Sequence, residues 1–237
     1  MQDAIAGLWG GIKRLSGRSI PNDPHLRELF DLCTTRKPDL VLQQRVTESR
    51  IVVLDTETTG FSAFGRDEII SVAMIELDGL TATGSEYQTL VNPRRPIPAE
   101  STEIHHITDE MVQGSPFIED VLPEILEFMN DAVIVGHHIN FDFRFLNKSL
   151  KQIVGCKLSH HWLDTMLIFM ALTGRMGHYT LEEVASSCSV SLHDRHTAHG
   201  DALTTAEAFV VMMNHWNEQD LTIGELVKRQ YEVGTFE

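Results

Sequence analysis

The sequence predicts an α/β domain built on a mixed sheet. Three strand-like runs follow one another between residues 51 and 91. Helix-like and strand-like segments then alternate to the end. Hydrophobic residues make up 42% of the 237 positions, enough for a real core, yet no apolar run approaches the ~20 residues of a spanning helix.

Residues 1–18 can place Ile5, Leu8, Trp9, Ile12 and Leu15 near one helical face, although Gly7, Gly10 and Gly11 weaken such a helix. Pro21 and Pro24 punctuate the chain. A second helix is expected over 25–33, with Leu26, Leu29, Phe30 and Leu32 apolar. The stretch from Pro38 to Arg50 reads as a linker. Ile51-Val52-Val53-Leu54 is a buried strand. Strands over 68–77 and 85–91 join through a hairpin-type turn at Asp78-Gly79. Pro93, Pro96 and Pro98 then interrupt the pattern. Helices follow near 108–112 and 117–130. Residues 132–136 form another buried strand, feeding a helix over 141–152. A short strand at 159–163 precedes a helix at 164–173. Thr180 caps a helix that begins Leu181-Glu182-Glu183. A long helix covers 199–216 and a last one 221–231. The expected division is an N-terminal helical extension and linker (1–49), a central domain (50–216), and a C-terminal helix and tail (217–237).

Charge narrows the function. The chain carries 34 acidic and 19 basic side chains, a formal net of -15. Residues 1–50 hold eight Lys/Arg and six Asp/Glu; residues 51–237 hold 11 and 28. A protein that coats nucleic acid by long phosphate contacts is usually basic. This chain is therefore not a general coat for DNA or RNA; if it acts on nucleic acid, it should grip only a few nucleotides and need metal to offset its own charge. Cys33, Cys156 and Cys188 are odd in number, with no C-x-x-C pair, which suits a reducing compartment and provides no zinc site. Asp3 and the glycine-broken apolar stretch do not make a signal peptide, so a cytoplasmic protein without a membrane span is expected.

Three acidic strings carry the chemistry. Asp55-Thr56-Glu57 directly follows the first buried strand, and side chains two apart share a face. They are either two solvated turn carboxylates before Gly60 or a pair gathered by a divalent cation. Asp142 follows the strand at 132–136, as a helix cap or as a third carboxylate at a strand end. Asp201 falls in the first turn of the long helix, where the dipole favours it regardless of function. His196 lies on the preceding loop and can accept a proton near neutral pH. His193, His196 and His199 recur every three residues, a spacing that matches no familiar zinc site.

Taken together, Asp55-Thr56-Glu57, Asp142 in the setting Asn140-Phe141-Asp142, and His196-Thr197-Ala198-His199-Gly200-Asp201 resemble the DEDDh exonucleases. Within that family the resemblance is greatest to the epsilon proofreading branch of bacterial DNA polymerase III, over about residues 50–215. It implies a ribonuclease H-like exonuclease fold, with a mixed five-stranded sheet flanked by helices. It also implies 3'→5' hydrolysis at single-stranded or frayed DNA ends, releasing nucleoside 5'-monophosphates. Asp55, Glu57, Asp142 and Asp201 would hold two divalent ions, Mg²⁺ or Mn²⁺, with Asp55 as the bridge and His196 as general base. Their combined charge of about -4 matches two such ions. Thr58, Gly60, Phe61 and Phe141 would contact the last nucleotide, and Ile104 and His105 would wedge against the terminal bases. A 3' exoribonuclease and an inactive partner-docking module are the alternatives.

Two departures stand out. His138 occupies a position where asparagine is common, and residues 1–50 have no counterpart in the core family. Those first residues are the expected contact for a protein partner or for self-association. Arg144, Lys148 and Lys151 also fall on one face of their helix, either a solvated face or a basic stripe that can guide a strand.

Overall fold

The computed structural model describes residues 13–15, 18–20, 23–35, 38–216, 218 and 220–234. Lys13–Leu15 (β1) pairs antiparallel with Arg18–Ile20 (β2). The helix expected over 1–18 therefore does not extend through 13–15, and its residues 1–12 lie outside the described residues.

Pro24–Thr34 forms α1, capped by Asp23, whose carboxylate accepts from the N–H groups of His25 and Leu26. Residues expected as a linker instead make two 3-10 turns, Pro38–Gln43 and Val46–Glu48, that bury Val41 and Val46. The central strand is Arg50–Thr58 (β3). It pairs antiparallel with Ile69–Asp78 (β4), which pairs antiparallel with Thr81–Leu90 (β5). The chain then makes Ala99–His105 (α2), Asp109–Val112 (α3) and Ile118–Met129 (α4). Helix α2 went unread in the sequence because seven residues after Pro98 are too short to show a period.

Val133–Gly136 (β6) lies parallel to β3 and leads into Asn140–Ile153 (α5). Trp162–Asp164 (β7) lies parallel to β6 and leads into Thr165–Thr173 (α6). Leu181–Ser187 (α7) starts with a reciprocal cap between Thr180 and Glu183, as the sequence predicts. Ala198–Trp216 (α8) and Ile223–Gly234 (α9) complete the order. The sheet is five-stranded and mixed, in the order β5-β4-β3-β6-β7.

Both faces of β3 are covered, which is why residues 51–54 show no polar alternation. Val52 and Leu54 pack with Leu29 and Phe30 of α1, Leu122 and Ile125 of α4, and Phe145 and Leu146 of α5. Ile51 and Val53 pack with Ile168 of α6, Phe209 and Met212 of α8, and Leu226 of α9. Helix α9 is tied to the sheet by Gln230, which accepts from Asp164 N–H at 2.9 Å and donates to the Trp162 carbonyl at 2.8 Å. Segments on either side of 50–216 thus pack on the sheet, α1 on one face and the 3-10 turns with α9 on the other. Cys33, Cys156 and Cys188 are free thiols. No helix among the described residues is long and apolar enough to cross a membrane.

Candidate active site

The parallel strands β3 and β6 end on the same side of the sheet, the side where α/β folds gather ligands. Asp55 and Glu57 continue the face of β3 that carries Ile51 and Val53, towards α8. At this point β4 carries one extra residue: Glu57 pairs with Ser71 but Thr58 with Ile69. Such bulges re-aim side chains at strand ends. Asp201 enters from the first turn of α8. Oxygens of Asp55, Glu57 and Asp201 all lie within 4.8 Å of one another. Asp142 arrives from the first turn of α5, on the opposite face, and is held by Thr56 Oγ1 donating to its Oδ1 at 2.6 Å. Asp55, Glu57 and Asp201 thus form a tight trio at the tip of β3, and Asp142 stands beside it, near enough for its charge to raise the proton affinity of Asp55 and Glu57.

This meeting is electrostatically unfavourable, and the proton affinities record it. Burial, followed by repulsion from Asp142, Glu57 and Asp201, holds the Asp55 carboxyl well above the usual range. Burial and the charges of Asp201 and Asp142 push Glu57 up to about 8. Burial pushes Asp142 up to about 7 despite the opposing Thr56 hydrogen bond, and Asp201 up to about 6. Asp201 Oδ1 is buried with no hydrogen-bond partner among the described residues. Oxygen donors, crowded negative charge and an orphaned carboxylate oxygen fit a hard divalent cation.

A pH dependence follows. The folded state keeps protons that the unfolded chain gives up near pH ~4. The contribution of these carboxylates to stability is therefore greatest at low pH and falls as pH rises through the ordinary carboxylate range towards 6–8, at about 1.4 kcal/mol per tenfold change in proton affinity. Above the raised values the loss is complete. Urea unfolding in chelator at pH 5.5 and pH 8.5 is expected to show the lower stability at pH 8.5.

Arg195 was not singled out by sequence reasoning. Its guanidinium pairs with Asp201 and, through Nε at 2.6 Å, with Glu182 of α7. It lowers the proton affinity of Asp55, Glu57 and Asp201. Only its place beside His196 could have signalled this, because partners from α7 are invisible in the linear order.

His196 sits at φ 65, a left-handed conformation, and its backbone N–H bonds the Asp201 carboxylate. Its ring is partly exposed. Burial, Arg195 and His106 lower its pKa, so the ring is neutral at pH 7. His193 instead approaches Glu207 at 3.1 Å, and His199 bonds Glu86 of β5 at 2.9 Å. Gly200 lets α8 start tight against the His196 loop, since a Cβ there would meet the carbonyl oxygens of His193 and Asp194 at 2.5 Å. Gly200→Ala is expected to cost about 1–3 kcal/mol of stability by overpacking, measured by urea unfolding.

The expected nucleotide contacts divide. Thr58 is buried and donates to the Gly60 carbonyl at 2.7 Å. Gly60 lies so close to the Asp67 carboxylate that a Cβ would stand 2.6 Å from it. Phe61 is exposed, 6.3 Å from the Phe141 ring. Ile104 is 42% exposed, but His105 is 4% exposed and turned inward, its Nδ1 accepting from Ile107 N–H at 3.1 Å. The chain reverses at His106, φ 60, so the exposed pair is Ile104 and His106, not Ile104 and His105. His138 also takes a left-handed φ of 56 and stacks on His178 at 4.7 Å. Its neighbour His137 is locked between Thr165 Oγ1 and the Tyr179 carbonyl, and burial pushes its pKa down to about 3. The basic stripe is broken: Lys148 is nearly buried and spends its charge on Glu68 at 2.7 Å.

Comparison with known proteins accords with this geometry. A family profile described as "Exonuclease" (RNase_T) matches residues 52–209. The DNA polymerase III subunit epsilon-like protein of Rhodobacter capsulatus is 34% identical over 217 residues, covering 86% of this chain and 31% of that one. The DNA polymerase III subunit epsilon of Aquifex aeolicus is 34% identical over 174 residues, covering 73% of this chain and 85% of that one. A PolC-type DNA polymerase III of Thermotoga maritima is 37% identical over 163 residues, covering 69% of this chain and 12% of that one. The chain thus spans about a third of the Rhodobacter relative and about an eighth of the Thermotoga one. Among solved structures, Exonuclease X in complex with 5' overhanging duplex DNA superposes with TM-score 0.60 at 24% identity, over 75% of this chain and 99% of that one. Exonuclease I superposes with TM-score 0.64 at 14% identity, over 78% and 43%. These two show the shared ribonuclease H-like exonuclease fold. With a profile match across well over half its length, this chain belongs to the exonuclease (RNase_T) family.

Proposed function

We propose that this chain is a metal-dependent 3'→5' exonuclease of the DEDDh type, acting on single-stranded or frayed DNA and releasing nucleoside 5'-monophosphates. The observation that carries the reading is the convergence of Asp55, Glu57, Asp142 and Asp201 at the end of β3. DNA is preferred over RNA because the relatives quoted above are named as DNA polymerase III subunits or polymerases.

In this reading the four carboxylates hold two divalent ions, Mg²⁺ or Mn²⁺. The ions, when bound, supply Lewis acidity to the phosphate and to the leaving oxygen. Asp55, whose charge is crowded by Asp142, Glu57 and Asp201, would be a ligand common to both ions. His196 takes the proton of the attacking water on a ring nitrogen, and its lowered pKa keeps that nitrogen free at neutral pH. Thr58 and Gly60 shape the backbone around the last nucleotide, and Phe61, Phe141 and Ile104 offer it apolar surface. His105 supports this loop from inside.

The test is a 5'-labelled single strand incubated with Mg²⁺, with Mn²⁺ and with chelator. A metal-dependent ladder shortening from the 3' end is expected. Shortening from the 5' end, or an unaltered strand under every condition, rejects the reading; the latter outcome leaves a docking module. RNA of the same sequence, run alongside, separates the two nuclease alternatives. Metal also has a thermodynamic readout. An ion at ~100 times its Kd stabilises by about 2.7 kcal/mol, some 5–10 °C in Tm for a chain of this size. The gain is expected to be larger at pH 8.5 than at pH 5.5, because protons compete for the same oxygens.

A further inference from the structure

The loop from Thr59 to Glu68, between β3 and β4, is held firmly at its base. Thr59 N–H donates to the Glu68 carbonyl at 2.9 Å, and Ser62 N–H to Asp67 Oδ2 at 3.0 Å. Arg95 pairs with Asp67 Oδ1 at 3.0 Å. Lys148, its side chain 10% exposed, reaches from α5 to the Asp67 carbonyl at 2.6 Å and to Glu68. Ser101 Oγ donates to the Thr59 carbonyl at 3.0 Å.

This stapled loop presents two aromatic rings to solvent: Phe61 is 83% exposed and Phe64 is 91% exposed. Leaving such rings in water forfeits the burial that normally stabilises a chain, so they call for a contact outside it. Between them and α5 lies a cavity of about 350 Å³, bordered by Phe61, Phe64, Phe141 and Arg144. Arg144 is exposed and has no ion-pair partner among the described residues. In a chain of net charge -15, an uncommitted cation beside exposed aromatic faces is a specific pairing.

We propose that this cavity is a second nucleotide subsite, which takes the nucleotide 5' to the one removed. Its base stacks on Phe64 and its phosphate meets Arg144. The inference rests on the exonuclease reading and extends it. The occupant follows from position and chemistry. The loop continues directly from Asp55 and Glu57, and the cavity shares Phe61 and Phe141 with the surface proposed for the last nucleotide, so the neighbouring nucleotide of the same strand is the occupant within reach. Every nucleobase offers a π-face, so stacking there is indifferent to sequence. An acidic protein gains a hold on its substrate this way without a basic groove. Lys148, placed by the sequence in a strand-guiding stripe, instead positions the loop.

The experiment compares wild type, Phe64→Ala and Arg144→Ala on two substrates: a trinucleotide and the p-nitrophenyl ester of thymidine 5'-monophosphate, which has no upstream nucleotide. Phe64 is too exposed for its removal to unfold the chain, and an unchanged Tm confirms that. Phe64→Ala is expected to raise KM for the trinucleotide about 5- to 100-fold, with the ester unaffected. Arg144→Ala is expected to raise the same KM and to reduce the slope of log KM against log salt by about 0.7, the value for one phosphate contact on a single strand. Fluorescence anisotropy of a labelled trinucleotide with Ca²⁺ gives the same comparison without turnover. Equal trinucleotide KM and anisotropy in wild type and Phe64→Ala overturns the subsite and leaves the rings as a protein contact. So does an equal effect on ester and trinucleotide. Turnover of the ester by every variant, with no effect of Phe64→Ala on the trinucleotide, removes the subsite alone. Failure of wild type to hydrolyse either substrate or to bind the trinucleotide removes the exonuclease reading with it.

Discussion

Asp55→Asn is expected to lower kcat on a single-stranded oligonucleotide by at least about 10⁴-fold, ~5.5 kcal/mol of transition-state stabilisation. Asp55 is buried, and repulsion from three other carboxylates, Asp142, Glu57 and Asp201, helps to hold its proton affinity up. A shared ligand in that place has no neighbour able to substitute for it. The same substitution has an opposite effect on folding. It replaces a buried, repelled acid by a neutral group of equal size, so stability in chelator at pH 8.5 is expected to rise. Single-turnover product release and urea unfolding measure the two effects on one protein. Turnover within tenfold of wild type would remove Asp55 from the centre of the chemistry. Lower stability at pH 8.5 would mean that the carboxylate is paired in the fold and not strained.

His196→Ala is expected to cost about 10²–10⁴ in kcat, the usual contribution of a positioned general base. Calorimetric affinity for Mn²⁺ is expected to stay as in wild type, because the side chain is not among the clustered oxygens. The pH–rate profile adds a second readout. Burial and Arg195 lower the His196 pKa, so the wild-type acid limb should turn below the ordinary histidine value of about 6.5. The variant should lose that inflection. A fall in metal affinity alongside the rate would instead make His196 a ligand. Its left-handed backbone and its bond to Asp201 set where the ring starts, so Asn at this position tests ring chemistry with the conformation better retained.

Much of this was legible in the linear order because it is local. The i, i+2 relation of Asp55 and Glu57 on a strand, the Thr180 cap with Glu183, and the apolar runs at 51–54 and 132–136 depend on neighbours only a few residues away. The elements misread are those whose character is set from elsewhere. The 3-10 turns at 38–48 look polar, yet they are pinned by α9 and its approach, through Val46 N–H to the Leu221 carbonyl and Ile223 N–H to the Gln44 carbonyl. His105 shares a string with Ile104, and only the reversal at His106 separates an inward ring from an outward side chain.

The sequence by itself determined the α/β class, the order of strands and helices from β3 onward apart from α2, and the residue types able to bind metal, because periodicity and motif spacing are properties of the chain. Tertiary structure alone decided that α5 and α8, on opposite faces of the sheet, deliver Asp142 and Asp201 to one strand tip. It also decided that Arg195 joins them, that Lys148 is committed to a loop, and that Phe64 stands exposed beside Arg144. Those outcomes depend on how faces pack across dozens of residues, and packing at that range leaves no periodic mark in a sequence.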